Sequence, residues 1–385
     1  MRSVLGLVTL ASLAMLGCAG APSSNAPSPG PPSNNLSSCF TPQPGYVYIN
    51  RPAIFVANTG SSSISAIQQV DFTPGYSGGG VCGSPFPMSA PPTALGSGGL
   101  GQLIVLSAPK KTISFFNVNS LTSVLTGPVT TLTTPYTPVA VAAWGYYYVA
   151  NAEGSVSAYQ LSSGNALTEI PGSPFPAGSG PVAVAAAAPG FLYVANSQSN
   201  DISGYSMGPS GVLTPLPGSP FPAGTNPSSI EVASANLDPI SGPTFVFVTN
   251  KGSNNVSVYS VSSNGVLGQV PGSPFPAGAA PSSSGPSVDG NLSFLYVANS
   301  KSGDISGYSM DNSTGVLTPL AGFPFAVGPG PSAVTSPGLL YVTCAGSNTL
   351  WVLQPDDSGA LTPAPGSPFP VGQSPSAVVF VQVAY

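Results

Sequence analysis

The sequence predicts an all-β chain, a seven-bladed β-propeller of four-stranded blades whose ring is closed by the C-terminal segment. Three observations carry this. A seventeen-residue stretch, FLYVANSQSNDISGYSM at 191 to 207, returns at 294 to 310 with two residues changed. Five other stretches are weaker copies of its first half, so the chain holds seven units of propeller-blade length. Finally, the units are cut so that the last one ends on a piece that the first one lacks.

The copies align on an apolar run ending in Asn: IFVAN (54 to 58), YYVAN (147 to 151), LYVAN (192 to 196), VFVTN (246 to 250) and LYVAN (295 to 299). LIVLS (103 to 107) and LYVTC (340 to 344) complete the set, with Ser107 and Cys344 standing in for Asn. The ends of these runs are 44 to 54 residues apart. Each run reads as the second strand of a blade. The third follows after a short turn and alternates with a period of two, as in Ile202-Ser203-Gly204-Tyr205 and Val256-Ser257-Val258-Tyr259. Tyr159, Tyr205, Tyr259 and Tyr308 in these strands read as packing between blades. The recurring GSPFP, with a variant GFPFA at 322, belongs at the outermost strand, because proline cannot donate to a ladder. A proline followed by small residues supplies the innermost strand: PPTAL at 91, PVAVAA at 138 and 181, PSSIEVA at 227, a poorer PSSSGPSV at 281, PSAVTS at 331 and PSAVVF at 375.

Order along the chain decides the closure. The first unit starts at Ala53 with its second strand, and the seventh innermost motif appears only at Pro375 to Val383. A ring closed by its last segment reads in this order and leaves no open sheet edge. Tyr46 to Ile49 is a rival for the same place.

Composition agrees with a β-rich chain and limits its chemistry. Charged residues are 4% of the chain, against about 25% in an ordinary globular protein, so Ser, Thr, Asn, Gln, Gly and Pro must form the wet surface. The 47 Gly and 46 Pro read as turn punctuation. Six basic residues and a net charge of −5 give no stripe that could neutralise a run of phosphates, which argues against nucleic acid. With no His, a Ser-His-Asp arrangement and any His-containing zinc site are excluded. No cofactor or metal is expected. Asp356 and Asp357, the one adjacent carboxylate pair, read as a solvated turn.

The N-terminus gives an address. Residues 1–18 carry Arg2, then an apolar run from Val4 to Met15, then Gly17-Cys18, the plan of a secretory signal with a lipoprotein-type ending. Lipidation of Cys18 and an outer-membrane or cell-surface location are expected; cleavage after Ala21, releasing a secreted protein, is the alternative. Residues 19–45 read as a Pro/Ser-rich tether, and 46–385 as the propeller. In that compartment Cys39 and Cys82 are candidates for a disulfide, whereas Cys344 reads as a buried free thiol.

The -YVAN and -FVTN strands, each followed by a β-branched strand and a Pro-introduced inner strand, resemble the YVTN-type seven-bladed propellers, related to the lactonase-like, 6-phosphogluconolactonase-like family. The resemblance spans about residues 46 to 385. It implies a propeller fold and, for the family's lactonases, hydrolysis of a sugar lactone by charged residues including His at the channel mouth. No such residue carries over, because this chain has no His and Arg51 is the one Arg after the signal.

One charge pattern remains. Lys110, Lys111, Lys251 and Lys301, with Glu153, Asp201 and Asp304, fall in the turns between second and third strands, on the face shared with the blade-to-blade connections. Gln198 and Asn255 lie in the same turns, and the whole set is the candidate ligand face. The competing reading is that charges go to exposed loops and that Asp201, Asp304 and Asn255 serve as Asx turns. The expected role is a monomeric, lipid-anchored, non-catalytic binding or scaffold module whose partner is a carbohydrate, an envelope polymer or a protein. A lactonase-like hydrolase and a purely structural surface or adhesion component are the alternatives.

Overall fold

Every regular element of the computed structural model is a strand; it describes residues 53–68, 81, 83–99, 101–234, 242–289 and 292–383. Cys18, Cys39, Cys82, the tether and Tyr46 to Ile49 lie outside the described residues. The strands form seven antiparallel sheets, numbered here as blades 1 to 7. Blade 5 is representative, running outward as Pro227–Ser234, Thr244–Asn250, Asn255–Val261 and Leu267–Gln269. The innermost strands neighbour one another from blade to blade all the way round, so they wall a central channel.

The ring closes as the order of the motifs predicts. Pro375–Val381 lies antiparallel beside Ala53–Asn58, with Val379 opposite Phe55, so blade 1 combines the C-terminal strand with three N-terminal ones.

The second strands are apolar without alternation because each blade is sandwiched between two others and both faces of the strand are buried. Phe55, Tyr148, Tyr193, Phe247 and Tyr296 are all fully buried there. Burying a side chain of this size contributes about 2–3 kcal/mol. A buried hydroxyl must be satisfied, and the next blade does it: Tyr148, Tyr193 and Tyr296 donate to the carbonyls of Gly211, Gly265 and Gly359 at 3.2, 2.7 and 2.8 Å. The third-strand tyrosines reach the other way. Tyr205, Tyr259 and Tyr308 donate to the carbonyls of Pro176, Pro222 and Pro276 in the preceding blade.

GSPFP explains itself at the outer edge. In blades 3 to 7 the outermost strand is split in two, as with Leu267–Gln269 and Phe275–Pro276. The Ser of the motif closes the gap by accepting from a third-strand amide: Ser173 from Ala158, Ser219 from Gly204, Ser273 from Val258 and Ser367 from Val352, at 2.9–3.0 Å. Its Phe then turns inward, and Phe175, Phe221, Phe275 and Phe369 are buried. Blade 2 does without the motif and has one long outer strand, Leu125–Thr133.

Candidate functional site

The turns between second and third strands lie on the face that also carries the blade-to-blade connections, and their polar groups are organised around the Asn that ends each second strand. Asn58, Asn151, Asn196, Asn250 and Asn299 are buried. Each amide nitrogen donates to a third-strand serine, for example Asn250 to Ser257 at 3.0 Å and Asn299 to Ser306 at 2.9 Å. In blades 4 to 6 the same nitrogen donates to the residue opening the third strand: Asp201 at 2.7 Å, Asn255 at 2.8 Å and Asp304 at 2.8 Å. The incoming connection docks on this hub. Gly224 donates its amide to Asn250 Oδ1, and a Cβ there would sit 2.5 Å from the Asn250 side chain, so the recurring FPAG needs its glycine. Three of the expected face residues are therefore parts of the scaffold.

The remaining face residues are spread round the ring. Lys111 and Glu153 approach to 3.9 Å, both exposed. Burial pushes the Glu153 carboxyl up, but hydrogen bonds from the Thr137 amide and hydroxyl and the nearby Lys111 charge outweigh it, so it lies below the ordinary carboxylate value. Gln198 accepts from the Ser179 hydroxyl at 3.1 Å. Lys110, Lys251 and Lys301 are exposed. Asp356 is held low by the Ser358 hydroxyl and amide in its turn. Cys344 is free and buried, and burial raises its thiol to about 11. Among the described residues no group of three His, Cys, Asp or Glu could hold a metal ion.

The channel holds a group that sequence reasoning passed over. Strand register puts Gly96, Ala142, Ala185, Glu231, Gly285, Thr335 and Val379 at one level of the seven innermost strands. Six are neutral and small or medium-sized, and the seventh is a glutamate. At two other places on this level an added Cβ would press on the next blade, 2.5 Å from Val141 at Gly96 and 2.6 Å from Val334 at Gly285. The residue holding that place next to Glu231 is Ser284, a buried serine whose hydroxyl has no partner among the described residues. Burial raises the Glu231 carboxyl to about 8, so it is largely protonated at neutral pH. A charge in PSSIEVA where PVAVAA and PSAVVF have none was the signal available in the sequence.

Near the connections the channel wall is tied by hydroxyls on one side only. Ser228, Ser282 and Ser332 each donate to the opening proline carbonyl of the next inner strand, Pro281, Pro331 and Pro375, at 2.7–2.8 Å. Blades 3 and 4 have Val139 and Val182 in that position.

Comparison with known proteins agrees with this architecture. Residues 153–336, a little under half of the chain, match the family described as Lactonase, 7-bladed beta-propeller. No curated protein matches the sequence. Among solved structures, a candidate 6-phosphogluconolactonase of Bacteroides fragilis is 17% identical with a TM-score of 0.71, covering 86% of this chain and 98% of its own. The Pseudomonas aeruginosa periplasmic gluconolactonase is 18% identical with a TM-score of 0.65, over 86% and 99%. A functionally unknown protein of Desulfotomaculum acetoxidans is 14% identical with a TM-score of 0.66, over 87% and 100%. At these identities the likeness to solved structures is one of fold.

Proposed function

Taking the chain as a seven-bladed propeller related to the lactonase-like family, we propose that it is a non-catalytic binding module of the cell surface, held to the membrane by a lipid on Cys18 and engaging a carbohydrate-bearing envelope polymer. The observation that carries this reading is the dispersal of its ionisable groups. Lactone hydrolysis by general acid–base chemistry needs a base and a stabiliser of the developing oxyanion within reach of one atom. Among the described residues, the innermost strands carry two carboxylates, Glu231 and Asp289, and no cation; on the connection face Lys111 meets Glu153 at 3.9 Å, Lys301 and Asp304 share the blade 6 turn, and Asp201 and Lys251 lie in the turns of blades 4 and 5. The test is co-sedimentation of the purified protein with isolated envelope. Saturable binding that free envelope saccharide competes away supports the reading, and its absence sinks it. Incorporation of labelled palmitate, abolished in Cys18→Ala, tests the anchor separately.

A lactone hydrolase is the second reading, and Glu231 favours it. A carboxyl on the channel wall that changes charge near neutrality is suited to proton transfer. Loss of lactone turnover in Glu231→Gln, with binding to envelope retained, would establish it over the first.

A further inference from the structure

Blade 2 lacks the Asn hub, and a cavity of about 610 Å³ lies beside the vacated position, within the range of small-molecule sites. Four positions depart together from the pattern of blades 4 to 6. Ser107 replaces the hub Asn, Thr112 the Asx that opens the third strand, and Phe116 the third-strand Tyr. Ser89 stands where the connection into blades 4 to 6 has the glycine that fits over the Asn side chain, Gly178, Gly224 and Gly278. The changes are consistent with one another, since a shorter residue beneath leaves room for a side chain above. They also leave polarity unspent: Ser107 is 3% exposed, lines the cavity, and its hydroxyl has no partner among the described residues.

We propose that this cavity, between the outer end of blade 1 and blade 2, is a binding site for an acidic monosaccharide unit, a uronic acid, within a polymer. The proposal rests on the binding reading above and gives it a location. The wall is a two-strand ladder of hydroxyls, Thr112 paired with Thr133 and Ser114 with Thr131, the latter two oxygens 2.9 Å apart. Hydroxyls both donate and accept, which suits a polyol better than an apolar or purely anionic ligand. Phe86 and Phe116 add apolar walls for the carbon face of a sugar ring. Lys110 is the one charged residue among the described lining, and it is exposed at the face where the connections run. A cation with no carboxylate beside it in the lining selects a carboxylate-bearing sugar over a neutral one.

Titration calorimetry with galacturonate and with galactose, on the wild-type protein and three variants, tests this. The account expects saturable galacturonate binding that weakens with salt, and about tenfold weaker binding in Lys110→Gln. Ser107→Asn, which puts back the side chain that five other blades bury at this place, is expected to press on Ser89 from below, take up the polar floor of the cavity and weaken binding about tenfold or more, at some cost in melting temperature. Should that variant fail to fold, Ser89→Tyr, at an exposed position on the rim, is expected to block the site instead. No galacturonate binding by the wild type, or binding that prefers galactose, overturns the ligand class. Galacturonate binding unchanged in both Ser107→Asn and Ser89→Tyr overturns the site. In either case envelope co-sedimentation by the wild type shows whether the broader binding reading still stands.

Discussion

Blades 2 and 5 have the same four-strand order, but they use the end of the second strand in opposite ways. In blade 5 the buried Asn250 holds Ser257, Asn255 and the incoming Gly224 in one hydrogen-bonded unit. In blade 2 Ser107 holds none of these among the described residues, and a cavity opens beside it. The difference teaches that the repeated motif is a scaffold, and that in blade 2, where it lapses beside a cavity, the same place is free to do something else.

The largest effect is expected from removing the hub. Asn250→Ala strands the Asn255 and Ser257 side chains and the Gly224 amide at once, and is expected to cost about 3 kcal/mol in denaturant unfolding. Ser107→Ala in blade 2 removes an unpartnered hydroxyl and is expected to stay within about 0.5 kcal/mol of wild type. Equal costs at the two sites would erase the contrast. The connections give a second contrast: Gly224→Ser drives a side chain into Asn250 and is expected to cost about 2 kcal/mol, while Ser89→Gly is expected to be nearly neutral.

The channel adds a pH signature of similar or smaller size. The Glu231 carboxyl titrates at about 8 in the folded chain against an ordinary 4.5. Between those values unfolding releases a proton, so stability falls as pH rises through the window and levels off above it. Glu231→Gln lacks that slope. Its melting temperature is expected to match wild type at pH 4 and to exceed it at pH 9, by a gain of roughly 2 kcal/mol once partial access to water is allowed for. A wild-type melting temperature flat across the window would mean the carboxyl is ionised throughout. Apart from the two blade 2 controls, the smallest effect is expected at the inner wall, where Ser228→Ala removes one blade-to-blade hydrogen bond for about 1 kcal/mol.

The architecture was legible in the sequence because it is repeated. Seven registered runs fix the second strands, the motif order fixes the closure at Pro375–Val381, and GSPFP marks the outer edge before its serine contact is seen. The roles of Asp201, Asn255 and Asp304 were half legible. An Asx residue at the start of a strand signals a local turn, but nothing local says that it is held by an Asn buried five residues earlier. Glu231 went unread because one glutamate in an apolar motif acquires meaning only when register sets it beside the other six residues of its level. The cavity was least legible. Ser107 is visible as a missing Asn, but what that absence opens depends on the blade 1 connection that passes over it.

The most direct test of the functional account is the rate of lactone ring opening by the purified protein, followed by pH-stat with gluconolactone and 6-phosphogluconolactone from pH 6 to 9. A non-catalytic binding module leaves both rates at the buffer value at every pH, for wild type and Glu231→Gln alike. A saturable acceleration that follows the ionisation of a group near pH 8 and disappears in Glu231→Gln would contradict it and make the channel an active site.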